Sequence, residues 1–232
     1  MFVPEILVPG MLVDGLPNEQ LQAVRSLLML LEGGLGDAAI ALALYSQASQ
    51  QRHSPTGSLL AADPQQEQVM KRQLWAAGAW PQQYLFRLTF VHAKSFVYAL
   101  DQVAKALGML ARQPLAPPIA SVITQQETAW TAALPDLKGV RDSSHHAEDR
   151  LRRKGKRGQD IQLQPINNEM ISAPSGALLA ENLINNRFGW TMEDGNYGEV
   201  EVSETTLVKA RDIVQAVFDA PWSWRGPARW VP

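Results

Sequence analysis

The chain has 232 residues, 46% of them apolar and 19% charged, so it can bury a core and is too apolar for a disordered polymer. Its net charge of −2 gives no general attraction for polyanions, and the absence of cysteine excludes disulfides and thiolate chemistry. The start Met-Phe-Val-Pro-Glu-Ile-Leu-Val-Pro-Gly lacks the basic head and long apolar run of a secretory signal, and no stretch reads as the roughly 20 apolar residues of a bilayer span, so a cytoplasmic address without a membrane partner is expected.

Leu21, Val24, Leu27, Leu28 and Leu31 recur at helical spacing. Gly33, Gly34 and Gly36 interrupt the pattern before Ile40, Ala43 and Leu44 resume it, which predicts a kink or break near Gly33. These glycines lack the lysine and hydroxyl of a phosphate-binding loop. His53 to Ala62, with Pro55 and Gly57, reads as a loop. Asp63-Pro64 offers an N-cap and a first-turn proline, with Gln66 placed for a capping box, and opens a helix to about Ala77. The longest helix spans Gln82 to Arg112, with a stripe of Leu85, Leu88, Val91, Phe96, Leu100, Val103 and Leu107; His92 within it reads as a core residue. Pro114, Pro117 and Pro118 end that helix, and another runs from about Ile119 to Ala133.

The pattern changes after Gly158. Ile161 to Gln164 alternates, Gly176 to Ile184 is mostly apolar, and Phe188, Trp190 and Met192 alternate again, as do Val200 and Val202. Glu193-Asp194-Gly195-Asn196 is a hairpin signal, because Asp-Gly supplies the positive φ angles of tight turns. Ser203 caps a last helix from Glu204 to Asp219, and a tail with Trp222, Trp224 and Trp230 is too aromatic to stay solvated. The expected fold is mainly α: a helical bundle over residues 1–158, a small antiparallel β-sheet of about three strands within 159–203, and a closing helix with its Trp-rich tail over 204–232.

Chemistry concentrates between Arg141 and Arg150. Arg141 precedes His146 by five positions, about 1.4 helical turns, so the two can converge on one groove edge. A guanidinium can hold a phosphate bidentately while an imidazole moves a proton near neutral pH, and metal-free cleavage of RNA through its 2′-hydroxyl needs both tasks. Arg150, Arg152, Arg153, Lys154, Lys156 and Arg157 follow at once, six cations in eight residues, placed to hold neighbouring phosphates. His145, His146, Glu148 and Asp149 are candidate metal ligands, but no His-x3-His or His-Glu-x2-His spacing is present, so no metal and no cofactor are expected.

Arg141-Asp142-Ser143-Ser144-His145-His146 resembles the Arg, polar residue, three residues, His motif of the HEPN superfamily, the higher eukaryote and prokaryote nucleotide-binding domains. The resemblance covers six residues and a mainly helical chain. It implies a helical bundle, a homodimer in which the motifs meet in a composite cleft, and a metal-independent endoribonuclease of toxin or defence type, with RNA as substrate and an antitoxin or other protein as a further partner. Arg141 would bind or polarise the scissile phosphate, His146 would act as general acid or base, and Asp142 would orient one of them. His145 and Glu148 would stand beside the site. The sheet departs from the family pattern and reads as an addition to it.

Each feature also has a plainer reading. Adjacent histidines on a helix point about 100° apart, so His145 and His146 should not share a site. In that reading Arg141 pairs with Asp136 or Asp142, His146 is half-buried against Glu148, Asp149 or a carbonyl, and Glu148 to Arg153 is a solvated helix face with weak i,i+4 pairs. Together these describe a non-catalytic helical interaction or dimerisation protein.

Overall fold

A computed structural model describes residues 2–52 and 63–232; the loop expected from His53 to Ala62 lies outside them. Two long helices, α1 (Asn18–Arg52) and α3 (Gln82–Ala111), form an antiparallel pair with the largest interface in the molecule. Between them in sequence lies α2 (Pro64–Ala76), whose cap is the one expected, although the bond falls at Gln65, whose N–H donates to Asp63 Oδ1 at 2.9 Å. Next, α4 (Pro117–Ala133) packs on α3, with Pro117 and Pro118 in its first turn. Two short helices follow, α5 (Leu137–His145) and α6 (Ala147–Leu151), and α7 (Glu204–Phe218) closes the bundle against α1 and α4, capped by Ser203 as read from sequence.

The expected break near Gly33 is absent: α1 is continuous. The reason is packing. A Cβ on Gly34 would stand 2.7 Å from Val103 Cγ2, so this glycine lets α1 and α3 approach closely, while Gly33 and Gly36 meet nothing within 4 Å. Leu31, Leu35, Ala38 and Leu42 carry the buried stripe straight through the region. By length and composition α1 is also apolar enough to cross a membrane, contrary to the sequence reading. Its buried stripe packs on α3 and α7, whereas Met29, Leu30, Ile40 and Leu44 stay exposed.

The three-stranded antiparallel sheet is present as β5 (Asn182–Ile184), β6 (Arg187–Thr191) and β7 (Tyr197–Glu201), in that order. Asp194-Gly195 makes the β6–β7 turn, with Gly195 at φ 87° and the Asn196 N–H donating to Asp194 Oδ1 at 3.0 Å. The turn before it, Asn185-Asn186, has φ of 48° and 62°; asparagine tolerates the left-handed region better than most residues. Ile161 to Gln164, read as alternating, forms no strand and is tied to the turn by Gln164 N–H to Gly195 O at 3.0 Å. A small pair, β3 (Ile166–Asn167) with β4 (Ser172–Ala173), was not foreseen.

Nor were the ribbons that join the two chain ends. β1 (Ile6–Val8) pairs with β9 (Arg229–Val231), and β2 (Leu12–Asp14) with β8 (Ser223–Arg225), all antiparallel. From α7, Gln215 clamps Leu7 by accepting from its N–H at 2.8 Å and donating to its carbonyl at 3.0 Å. The tail packs through Trp222, buried with Nε1–H donating to Val217 O, while Trp230 stays exposed. One apolar core runs through α1, α3, α4, α5, the sheet residues Phe188, Trp190 and Val200, and α7.

Candidate functional site

The site is built on α5, a helix of nine residues with no side-chain cap. What holds it is tertiary contact. Leu137, Val140, Ser143 and Ser144 face inward, and Gly139 leaves room for the Met192 side chain just beyond β6, which would have to shift to admit a Cβ there. Asp136, just before the helix, accepts the Glu199 N–H at 3.1 Å on the edge of β7 and does not pair with Arg141.

With that face buried, Arg141, Asp142 and His145 stand at the rim. Arg141 is 16% exposed, with Nε 2.8 Å from Asp101 Oδ2 and Nη1 2.6 Å from Asp142 Oδ1. The Nε–H does not point along the Asp101 contact, so that pairing is Coulombic and not a directed hydrogen bond. Asp101, on α3 and only 7% exposed, is shared with Lys105 at 2.7 Å. Two cations and two carboxylates thus form a balanced network.

His146 leaves the helix at φ −106°, ψ 44°, and its carbonyl accepts the Asp149 and Arg150 N–H groups that open α6. This break defeats the geometric objection to a histidine pair: the rings of His145 and His146 meet edge to face, with centroids 4.9 Å apart. Both histidines are exposed, so His146 is not the half-buried residue of the plainer reading. From α3, the Tyr98 ring lies 6.4 Å from His145. Burial pushes the Tyr98 phenol above its ordinary value, Asp101 and Asp142 add to that, and the Ser144 hydroxyl and Arg141 act against it. Lys94 Nζ lies 5.7 Å over the Tyr98 ring and donates to Ser144 O at 3.3 Å. Arg141, Asp142, Tyr98, His145 and His146 therefore form one continuous rim. Beside it, a groove of about 590 Å³ between α1 and α3 is lined by Ile40, Leu44, Val91, His92, Lys94 and Tyr98. His92 is a wall of that groove rather than the core residue expected; partial burial lowers its pKa.

The basic run divides on inspection. Arg150, expected to hold a phosphate, is 3% exposed and structural: Nη1–H donates to Lys154 O at 2.7 Å, Nε–H to Ser143 Oγ at 3.2 Å, and Glu193 lies at 3.7 Å. That is a correction, and its cause is the short α6, which turns Arg150 under α5. Lys154 is paired with Asp160 at 2.6 Å and lowers the Asp160 pKa through that bond. Arg152 pairs with the Asp149 carboxylate at 2.9 Å and donates to the Glu148 main-chain carbonyl at 3.1 Å, in place of the i,i+4 pair with the Glu148 carboxylate that the pattern suggested. Arg153, Lys156 and Arg157 are exposed with no ion pair among the described residues. Arg153 and Arg157 adopt φ of 56° and 59°, unusual for non-glycine residues, and Arg153 stands where a glycine commonly ends a helix.

His146, Glu148 and Asp149, three of the four candidate ligands, offer ligand atoms all within 4.8 Å of one another, a grouping with metal-binding chemistry although no standard ligand spacing is present. Asp149 is already engaged by Arg152. The sequence reading missed Lys94, Tyr98 and Asp101, some forty residues before the motif. One signal was legible: Asp101 is an acid inside the apolar stripe of α3, which at 30 residues is second in length to the 35-residue α1 and not the longest helix expected, and such a position needs a partner. No family model matches the chain, and no curated protein or solved structure gives a significant match.

Proposed function

We propose that the protein is a HEPN-like, metal-independent endoribonuclease that cleaves RNA at a cleft completed by a second copy of the chain. The observation that carries this reading is the shared rim: the Arg141 guanidinium and the His146 imidazole lie on one exposed edge, linked through Tyr98 and His145. The His146 ring is exposed, and the Arg141 side chain, with its Nε buried, keeps part of its surface open. Arg141 has Nε and Nη1 committed to carboxylates, and Nη2 has no ion pair, so the free nitrogen is the one that would meet a phosphodiester oxygen. His146 would take the 2′-hydroxyl proton or return one to the leaving 5′-oxygen. Asp142, bound to Arg141, would orient it. Arg153, Lys156 and Arg157 would follow the RNA backbone beyond the cleavage point. The groove between α1 and α3 adjoins the rim, and its exposed Ile40, Leu44 and Val91 supply an apolar face for the second copy.

Incubation of the protein with structured and single-stranded RNA in excess EDTA tests the reading. Cleavage is expected, with a loss of about 10²–10⁴-fold in His146→Ala. Unchanged cleavage by that variant removes His146 from the mechanism.

A second reading, a non-catalytic interaction protein, is favoured by one observation: Arg141 is flanked by Asp101 and Asp142, as expected of a structural ion network. It predicts no cleavage of any RNA and a loss of stability or self-association in Arg141→Ala.

A further inference from the structure

Arg141 brings little net attraction for an anion to the rim. Asp101 and Asp142 offset its charge, and Lys105 is spent on the same Asp101. A phosphate approaching this edge would meet two carboxylates along with two cations, so the field that draws it in must come from another group.

Lys94 is that group. It projects from α3 toward the last turn of α5, where Nζ donates to Ser144 O at 3.3 Å and lies over the Tyr98 ring. Among the described residues no carboxylate pairs with it; Asp37, across the groove on α1, lines the same cavity without an ion pair. An ammonium has three N–H donors, and one weak bond to a carbonyl leaves two to offer. The Tyr98 ring that Lys94 covers is the ring beside His145, and His145 touches His146, so the ammonium and the two imidazoles follow one another along the rim.

We infer that Lys94, with His145 and His146, forms an oxyanion-holding corner, and that Lys94 rather than Arg141 supplies the attraction for a phosphate group. The identity of that phosphate as part of an RNA backbone rests on the proposed nuclease reading, whereas anion capture at the corner does not. In this arrangement Arg141, held by Asp101 and Asp142, touches the bound phosphate through Nη2, and Lys94 supplies the net attraction that sets substrate affinity.

The test uses inorganic phosphate as the probe. The ring C2–H signals of His145 and His146, followed by NMR in EDTA at fixed pH while phosphate is titrated, should move saturably in the wild type. The response should be lost in Lys94→Gln and kept in Lys94→Arg, with unchanged far-UV circular dichroism in both. RNA cleavage measured in parallel should show KM raised roughly 10-fold in Lys94→Gln with kcat little altered, the signature of a lost binding contact. A wild type whose histidine signals ignore phosphate, or a Lys94→Gln protein that responds as the wild type does, overturns the inference. A phosphate response that depends on Lys94 in a protein that cuts no RNA supports the corner and defeats the nuclease reading.

Discussion

Helices α2 and α5 are opposite cases. α2 has thirteen residues, a side-chain N-cap and a first-turn proline, yet none of its residues is buried, and Val69, Met70, Leu74 and Trp75 face solvent. α5 has nine residues, no side-chain cap and a glycine in its first turn, yet four of its residues are buried and it lies against α3 and the sheet. Local signals make α2; tertiary contacts make α5. The chemistry sits on the second kind, because a fixed rim requires side chains whose directions are set from several sides. An isolated helix as short as α2 is marginal in water, so its residues can hold no comparable geometry.

The largest expected effect breaks the frame of α5. Asp101→Ala leaves Arg141 and Lys105 without their shared carboxylate at a nearly buried position. A loss of about 3 kcal/mol is expected, seen as a fall in Tm of roughly 10 °C by calorimetry. A shift under 2 °C would mean that the network does not hold α5. A smaller effect probes α2. Asp63→Ala removes its cap and should cost that helix about 1 kcal/mol, read as faster amide exchange confined to residues 64–76 with Tm unchanged. A fall in Tm as large as that of Asp101→Ala would show that α2 is integral to the fold and erase the contrast.

The smallest effect is a pH dependence on α3, where its exposed first part meets the packed remainder. His92 stands one residue before the fully buried Ala93, and burial lowers its pKa below the ordinary histidine value. Around and below pH 6.5 the unfolded chain binds the proton that the folded chain resists, so stability is full above that value and declines as pH falls through the folded pKa. Thermal melts between pH 7.5 and 5 should show a slightly shallower loss in His92→Gln than in the wild type. Identical slopes would place His92 in solvent.

Much of the fold was legible in residue order alone. The caps Asp63 and Ser203, the prolines at 117 and 118, the stripe from Phe96 to Leu107 and the Asp194-Gly195 turn act within a few residues of themselves, so α2, α3, α4, α7 and the β6–β7 hairpin followed from them. The glycines of α1 misled for the opposite reason: Gly34 is explained by Val103, and no window of sequence contains both.

The candidate site was only half visible. Its motif residues could be named because Arg141 and His146 are five positions apart. That the histidine rings meet depends on a helix break at His146, and Arg150 changed role because α6 turns it inward. Residue order by itself determined which helices and turns form, since propensity, capping and turn chemistry are short-range. Only the tertiary structure decided which charges stand free and which are cancelled. Asp101 neutralises Arg141 and Lys94 reaches Ser144 across the α3–α5 contact, and Coulomb interactions follow distance in space, not separation along the chain.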